Sequence, residues 1–454
     1  MANFTAIDNN RKNTAILLLT LLTATGAFTD SFNQYVITGS TFSLIHTFHT
    51  TNAVSLTLAV FFIGSFIGAL FWGRLADYFG RKLIFLVDLA IMAVFAVLSG
   101  FATSLTMLWA FRFIMGIAAG GDYPAAMTLL MEFSPKFHRG RLNSIFWLFF
   151  MFAGIAALLL GYLLFTIYGN GETQWRLLLM LGAIPAVAGI ILRLGAPESA
   201  RWLNEKGRHE EAAEVMTKFT GIAFDATSMT AISENTQKPN KTLKRGALRL
   251  MLSPAFLPVT VGLIFSQYII NFTPGTIGTE APLVLTAFGF TGPASLIGTA
   301  VFVYAAWAVG VGISALVSDR VGRTRMFIIG GTGMGLLDIL FLLSHRDVTL
   351  LSLNLIALDV FSMIWFTTSM NWATELYPTS IRGIGSGYGV FLNRSSSATA
   401  VFLGPYLLSL YHPSGIFLIY GTMALMSVAV TFVLLRKHEV SNKSLEEISA
   451  GFEG

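Results

Sequence analysis

Gly73-Arg74-Leu75-Ala76-Asp77-Tyr78-Phe79-Gly80-Arg81-Lys82 follows the second of the long apolar runs in this chain. A weaker copy, Ala315-Leu316-Val317-Ser318-Asp319-Arg320-Val321-Gly322-Arg323, follows the eighth, and Asp77 and Asp319 stand 242 positions apart. A second pattern, Glu132-Phe133-Ser134-Pro135-Lys136-Phe137-His138-Arg139-Gly140, returns as Glu375-Leu376-Tyr377-Pro378-Thr379-Ser380-Ile381-Arg382-Gly383 at an offset of 243. Two separate patterns agreeing on one offset are hard to obtain by chance, so the chain reads as two halves in parallel.

A bilayer core about 30 Å thick needs about 20 mainly apolar residues per helix. Twelve runs qualify, near 14–38, 53–73, 83–102, 107–131, 142–167, 175–195, 254–276, 295–317, 326–344, 349–376, 383–410 and 414–435. They are too long and too rich in Leu, Ile and Phe for barrel strands, which alternate over about 10 residues. The first has no small-residue cleavage site and reads as a retained helix. The expected fold is therefore all-α and integral to the membrane, with twelve transmembrane helices in two six-helix halves, 1–195 and 253–436. A charged loop at 196–252 joins them, and a polar tail occupies 437–454.

Composition agrees. Of 454 residues, 54% are hydrophobic and only 12% charged, with a mean hydropathy of +0.68. A soluble chain carries about 25% charge, so a soluble enzyme, a nucleic-acid binder and a disordered scaffold are excluded. Cysteine is absent, which removes disulfides, thiolate metal sites and a cysteine nucleophile. The net charge of +5 comes from Lys and Arg concentrated in alternate loops; the opposite loops keep only Arg176 and Arg346. That asymmetry places both termini in the cytoplasm.

Two parallel halves around a central site describe a secondary transporter that alternates access by rocking. The GxxxDxxGRK motif, its copy and the twelve runs resemble the major facilitator superfamily over the whole chain. The duplicated charges Asp77, Arg81, Glu132 and Arg139, with Asp319, Arg323, Glu375 and Arg382, sit at helix ends and are read as a gate.

Ionisable residues at membrane depth each cost ~2.5–3.5 kcal/mol on insertion scales, so each needs a reason. Arg394 lies 11 residues into its run, about 16 Å deep at 1.5 Å per residue. Its planar fork suits a carboxylate or phosphate; the alternative is an internal ion pair with Asp30, Asp122 or Asp359. Asp30 or Asp122 is the candidate proton carrier. Asp88 is read as reaching the interface, and Asp338 and Asp359 are unassigned. The stripe Arg112-xxx-Gly116-xxx-Gly120 reads as close helix packing.

Gly120-Gly121-Asp122-Tyr123-Pro124 resembles the GGDYP signature of phosphate:proton symporters, and Thr29-Asp30-Ser31-Phe32-Asn33 resembles their first-span TDxxD, with Asn33 replacing the second acid. That resemblance implies substrate or proton roles for Asp30, Asp122, Tyr123 and Arg394. Pro197-Glu198-Ser199-Ala200-Arg201-Trp202-Leu203 and Ser444-Leu445-Glu446-Glu447-Ile448 resemble sugar and organic-ion porters instead; of the sugar signature in the seventh span, Gln267 and Asn271 are present. The candidate substrate set is Arg394, Tyr123, Asn33, Gln267 and Asn271. The expected function is proton-coupled uptake of a small anion, an organic acid or inorganic phosphate, across the plasma membrane. The alternatives are a sugar or other neutral solute porter, and a transporter-like sensor. No cofactor, metal or nucleic acid is expected, and a monomer in the lipid bilayer is.

Overall fold

The computed structural model describes residues 13–50, 52–133, 139–220, 223–235, 249–254, 256–275, 293–344, 348–377, 382–411 and 413–436. Helices α1 (Asn13–Gly39), α3 (Asn52–Phe79), α4 (Arg81–Gly100), α5 (Leu105–Phe133) and α6 (Arg139–Tyr168) are the first five expected spans. A short α2 (Thr41–Phe48) fills the loop after the first. The sixth span is two helices, α7 (Glu172–Leu181) and α8 (Ala183–Arg193), meeting at Gly182. Pro185 has no N–H to give the Leu181 carbonyl, which accounts for the break. Helices α9 (Ala200–Glu205), α10 (His209–Thr220) and α11 (Ala226–Asn235) follow in the central loop. The seventh span, α12 (Leu257–Ile269), is broken in the same way. The chain turns at 270–271 and is helical again over 272–275, where Pro274 cannot donate to Ile270. Helices α13 (Pro293–Val321), α14 (Arg323–Ser344), α15 (Val348–Glu375), α16 (Arg382–Leu410) and α17 (Pro413–Leu435) complete the twelve spans.

The exterior is apolar. Phe71, Ile191, Phe302 and Phe402 are each more than half exposed, which is the surface lipid requires. Eight of the described segments are long and apolar enough to cross a membrane on length and composition alone. The spans that fall short of that test are α1, α5, α16 and the broken seventh, and they carry Asp30, Asp122, Arg394 and Gln267.

The repeat is visible in the backbone. Gly80 and Gly322 hold matching positive φ angles, +95° and +97°. Each donates to the carbonyl four residues back, Ala76 and Ser318 respectively, which ends one span and starts the next. A side chain there would be strained. Within the first half, α3 and α5 touch backbone to backbone. A Cβ on Gly64, Gly68, Gly116 or Gly120 would run into the carbonyl of Phe113, Ile117, Phe61 or Ser65. The small-residue stripe is structural, as expected. Gly120→Val should therefore destabilise the protein by about 1–3 kcal/mol or more, read as a lowered unfolding temperature in detergent. An unchanged temperature would mean that the two helices separate without cost. The halves meet along α3 with α16 and α6 with α13.

Candidate functional site

Between the halves lies a cavity of about 520 Å³, counted with the solvent space at its mouth. The rings of Tyr35, Trp147, Phe150 and Trp307 wall it, and the amides of Gln34, Asn271 and Asn393 face it with Ser397 and Arg394. Asn271 reaches the cavity because the seventh span unwinds immediately before it; its amide donates to the Gln267 carbonyl at 3.1 Å. The Asn393 Nδ2 is buried without a hydrogen-bond partner among the described residues. The aromatic wall crosses the interface, since Tyr35 of α1 meets Tyr304 of α13 at 4.5 Å between centroids.

Arg394 is not a free cation. Its guanidinium donates to the Asp30 carboxylate across the two halves, and it lies 5.9 Å from the centroid of the Phe62 ring. Both are buried, at 7% and 5% exposed. The internal ion pair, held as the alternative for Arg394, is what the structure shows. The cavity consequently presents a neutralised pair rather than a net positive charge. Tyr123 does not line this cavity; with Asp30, Asp122 and Arg394 it borders a smaller adjoining void, packed on Trp147 at 5.2 Å. Asn33 turns away altogether. Its side-chain amide donates to the carbonyls of Thr29 and Gly182, both at 3.0 Å, and its backbone carbonyl accepts from Arg112 at 2.7 Å. Gln267 is buried one turn before Asn271, with both amide atoms unpartnered among the described residues.

Asp122 is held by Arg193, which stands near the end of the sixth apolar run and is not among the residues singled out by sequence. Arg193 closes α8 and is 1% exposed. It also donates to the carbonyls of Leu22 at 3.1 Å and Thr23 at 2.8 Å and to the Thr25 hydroxyl at 2.9 Å, and it covers the Phe85 ring at 4.6 Å. Gly26 makes the room, because a Cβ there would strike both Asp122 and Arg193. Asp88 does not reach the interface as expected; it is fully buried on α4, one turn from Phe85, whose carbonyl accepts from Arg193 at 3.4 Å. The available signal was charge balance: three acids at depth require more cations than Arg394.

Of the duplicated charges read as a gate, Asp319 accepts from Arg323 at 3.0 Å on its own side. Across the interface it accepts from the backbone N–H of Arg141, at the start of α6, at 3.2 Å. Asn143 donates to Asn371 across the same interface. The side chains of Asp77, Glu132, Arg139, Glu375 and Arg382 lie outside the described residues. Arg81 bonds Ser199, and Glu198 accepts from the backbone N–H groups of Arg81 and Lys82 at 2.9 and 3.1 Å. The segment after the sixth span thus caps the third, a favourable place for an anion. If the Asp319 and Asn371 contacts hold the halves together, Asp319→Ala with Asn371→Ala should speed labelling of a cysteine placed at Ser397 several-fold. The chain's lack of native cysteine makes that readout clean; unchanged labelling would place the closure elsewhere.

A twelve-span helical membrane protein with a walled polar cavity between two halves is a transporter, not an enzyme. The family model "Sugar (and other) transporter" matches residues 12–452, and the chain belongs to that family. It is 29% identical over 402 residues to the D-xylose transporter of Levilactobacillus brevis, covering 86% of this chain and 85% of that one. It is 27% identical over 396 residues to the niacin transporter NiaP of Acinetobacter baylyi, covering 86% of each. Among solved structures, the major facilitator proton:xylose symporter XylE bound to 6-bromo-6-deoxy-D-glucose superposes with a TM-score of 0.82 at 20% identity, covering 96% of this chain and 99% of that chain. The inward-open form of XylE from E. coli gives 0.72 at 20% identity, with 96% and 99% covered. The fold is that of the major facilitator superfamily.

Proposed function

We propose that the chain imports a small neutral, hydroxylated solute, a sugar or cyclic polyol, together with protons across the cell membrane. The observation that carries this is the pairing of Arg394 with Asp30, which leaves the cavity without net charge. Its remaining wall is aromatic rings and amides, and buried amides select hydroxyl groups by the cost of leaving them unpaired. The expectation of an anion as substrate is the weaker reading, because an anion would have to displace Asp30 from Arg394. The names of the xylose relatives support the neutral reading. A second reading, an aromatic carboxylate, rests on Arg394 among rings and on the niacin relative. In either case residues 1–195 and 253–436 rock against each other with the termini cytoplasmic. The eight duplicated charges from Asp77 to Arg382 act as the gate, and the 196–252 segment is anchored through Glu198. Protonation of Asp30 would loosen its bond to Arg394, the one charged link between the halves at the cavity among the described residues.

A thermal-shift series on the purified protein tests the substrate class. A true ligand at 100 times its Kd adds about 2.7 kcal/mol, a shift of several degrees. Pentoses, hexoses or inositol should produce it, while phosphate and nicotinate should not. Stabilisation by nicotinate alone would replace the proposal with the aromatic-acid reading.

A further inference from the structure

We propose that Asp88, Asp122 and Arg193 form a single proton-binding site inside the N-terminal half, in which two carboxyl groups share one proton over one fixed guanidinium. This rests on the proton-coupled reading above but names a site apart from the substrate cavity. Asp88, Asp122 and Arg193 come from α4, α5 and α8 and are exposed by 0%, 3% and 1%. Asp88 stands one turn along α4 from Phe85, whose carbonyl and ring both meet Arg193, so two acids share one cation in a medium where an uncompensated carboxylate is driven to take a proton.

Arg193 cannot move to favour one acid. Thr23, Thr25 and Leu22 hold it from α1, and the Phe85 carbonyl from α4 at 3.4 Å. Asp122 bonds it directly. Asp88 accepts only from the Leu89 backbone at 2.6 Å, and its second oxygen is buried without a partner among the described residues. That oxygen is the natural seat for a proton. Other charges facing the site are few. Asp30 of α1 and Arg394 of α16 border the small void that Asp122 also lines, and they neutralise each other. Arg112 lies ten residues, about 15 Å, along α5 from Asp122 and bonds the α1 backbone instead. Asp30 and Asp122 both line the small void.

Sharing gives a signature that an ordinary neutral acid does not. With both acids present one is protonated; with either one neutralised, the other is balanced by Arg193 and ionises. Infrared spectroscopy of the purified full-length protein at neutral pH, without solute, reads this as the protonated-carboxyl band. Asp88→Asn should remove one band component, and Asp122→Asn should remove the same one. Asp338 and Asp359, buried elsewhere, should keep theirs in both variants. Survival of the component in Asp122→Asn would mean that Asp88 holds a proton of its own, and no difference in either variant would mean that both acids are ionised; each overturns the proposal. Should an asparagine variant fail to fold, Asp88→Glu keeps the acid and should keep a shifted band, and its loss would equally overturn the proposal. In vesicles, both asparagine variants should lose at least tenfold in gradient-driven accumulation while retaining solute exchange. Because the infrared result needs no solute, failure of the substrate reading leaves it standing and is told apart from failure of the proton site.

Discussion

Arg394→Ala should abolish gradient-driven uptake, and adding Asp30→Asn should return much of the stability that the single change removes. Deleting one member of a buried pair leaves the other charge uncompensated, a loss of about 3–5 kcal/mol. Neutralising Asp30 as well removes that penalty. Asp30 and Arg394 are 364 positions apart and sit on different halves, so the double variant also loses a cross-link that must be remade in each cycle. It should bind solute yet fail to accumulate it. Arg394→Lys keeps the charge but not the planar fork, and should fall between the two. Chemical unfolding and equilibrium binding check this together. If the double variant is no more stable than Arg394→Ala, the pair is not the reason Arg394 is tolerated at this depth.

The second large effect concerns the amides. Asn271→Ala and Asn393→Ala should each weaken solute binding roughly tenfold to a hundredfold, because a hydrogen bond from a buried amide to a hydroxyl is worth about 1–3 kcal/mol when its loss strands the partner. Asn33→Ala should leave affinity nearly unchanged and act on stability, since its amide is spent on Thr29 and Gly182. Titrations of the three purified variants separate the cases. Equal losses in all three would mean that the cavity extends to Asn33 in the binding state.

The fold was legible because its signals are local or periodic: apolar runs of membrane length, a motif repeated at one offset, and glycine at the turn of each copy. Even the breaks in the sixth and seventh spans follow from Pro185 and Pro274, a rule that run-finding overlooks because both segments stay apolar. The depth of Arg394 was readable too. Its partner was not, because pairing between α1 and α16 is decided by how two halves pack, and three acids competed for it on sequence alone. Arg193 was hidden by its position at the end of an apolar run, where a basic residue reads as a boundary. Asp88, a few residues into its apolar run, reads as an interface residue, although α4 turns it inward. Glu198 was noted for its resemblance alone; its work as a cap on α4 depends on the central segment folding back.

The central claim is that a neutral solute crosses with a proton past an internally neutralised ion pair, so each cycle carries net positive charge inward. Accumulation in proteoliposomes with a membrane potential and no pH gradient tests this most directly. A potential of 100 mV, negative inside, is worth about 2.3 kcal/mol per charge, enough to concentrate a sugar or polyol severalfold to tens of fold. The account predicts that accumulation, and its collapse when the potential is discharged. Uptake that follows the pH gradient but is indifferent to the potential, as for a monoanion carried with one proton, would contradict it.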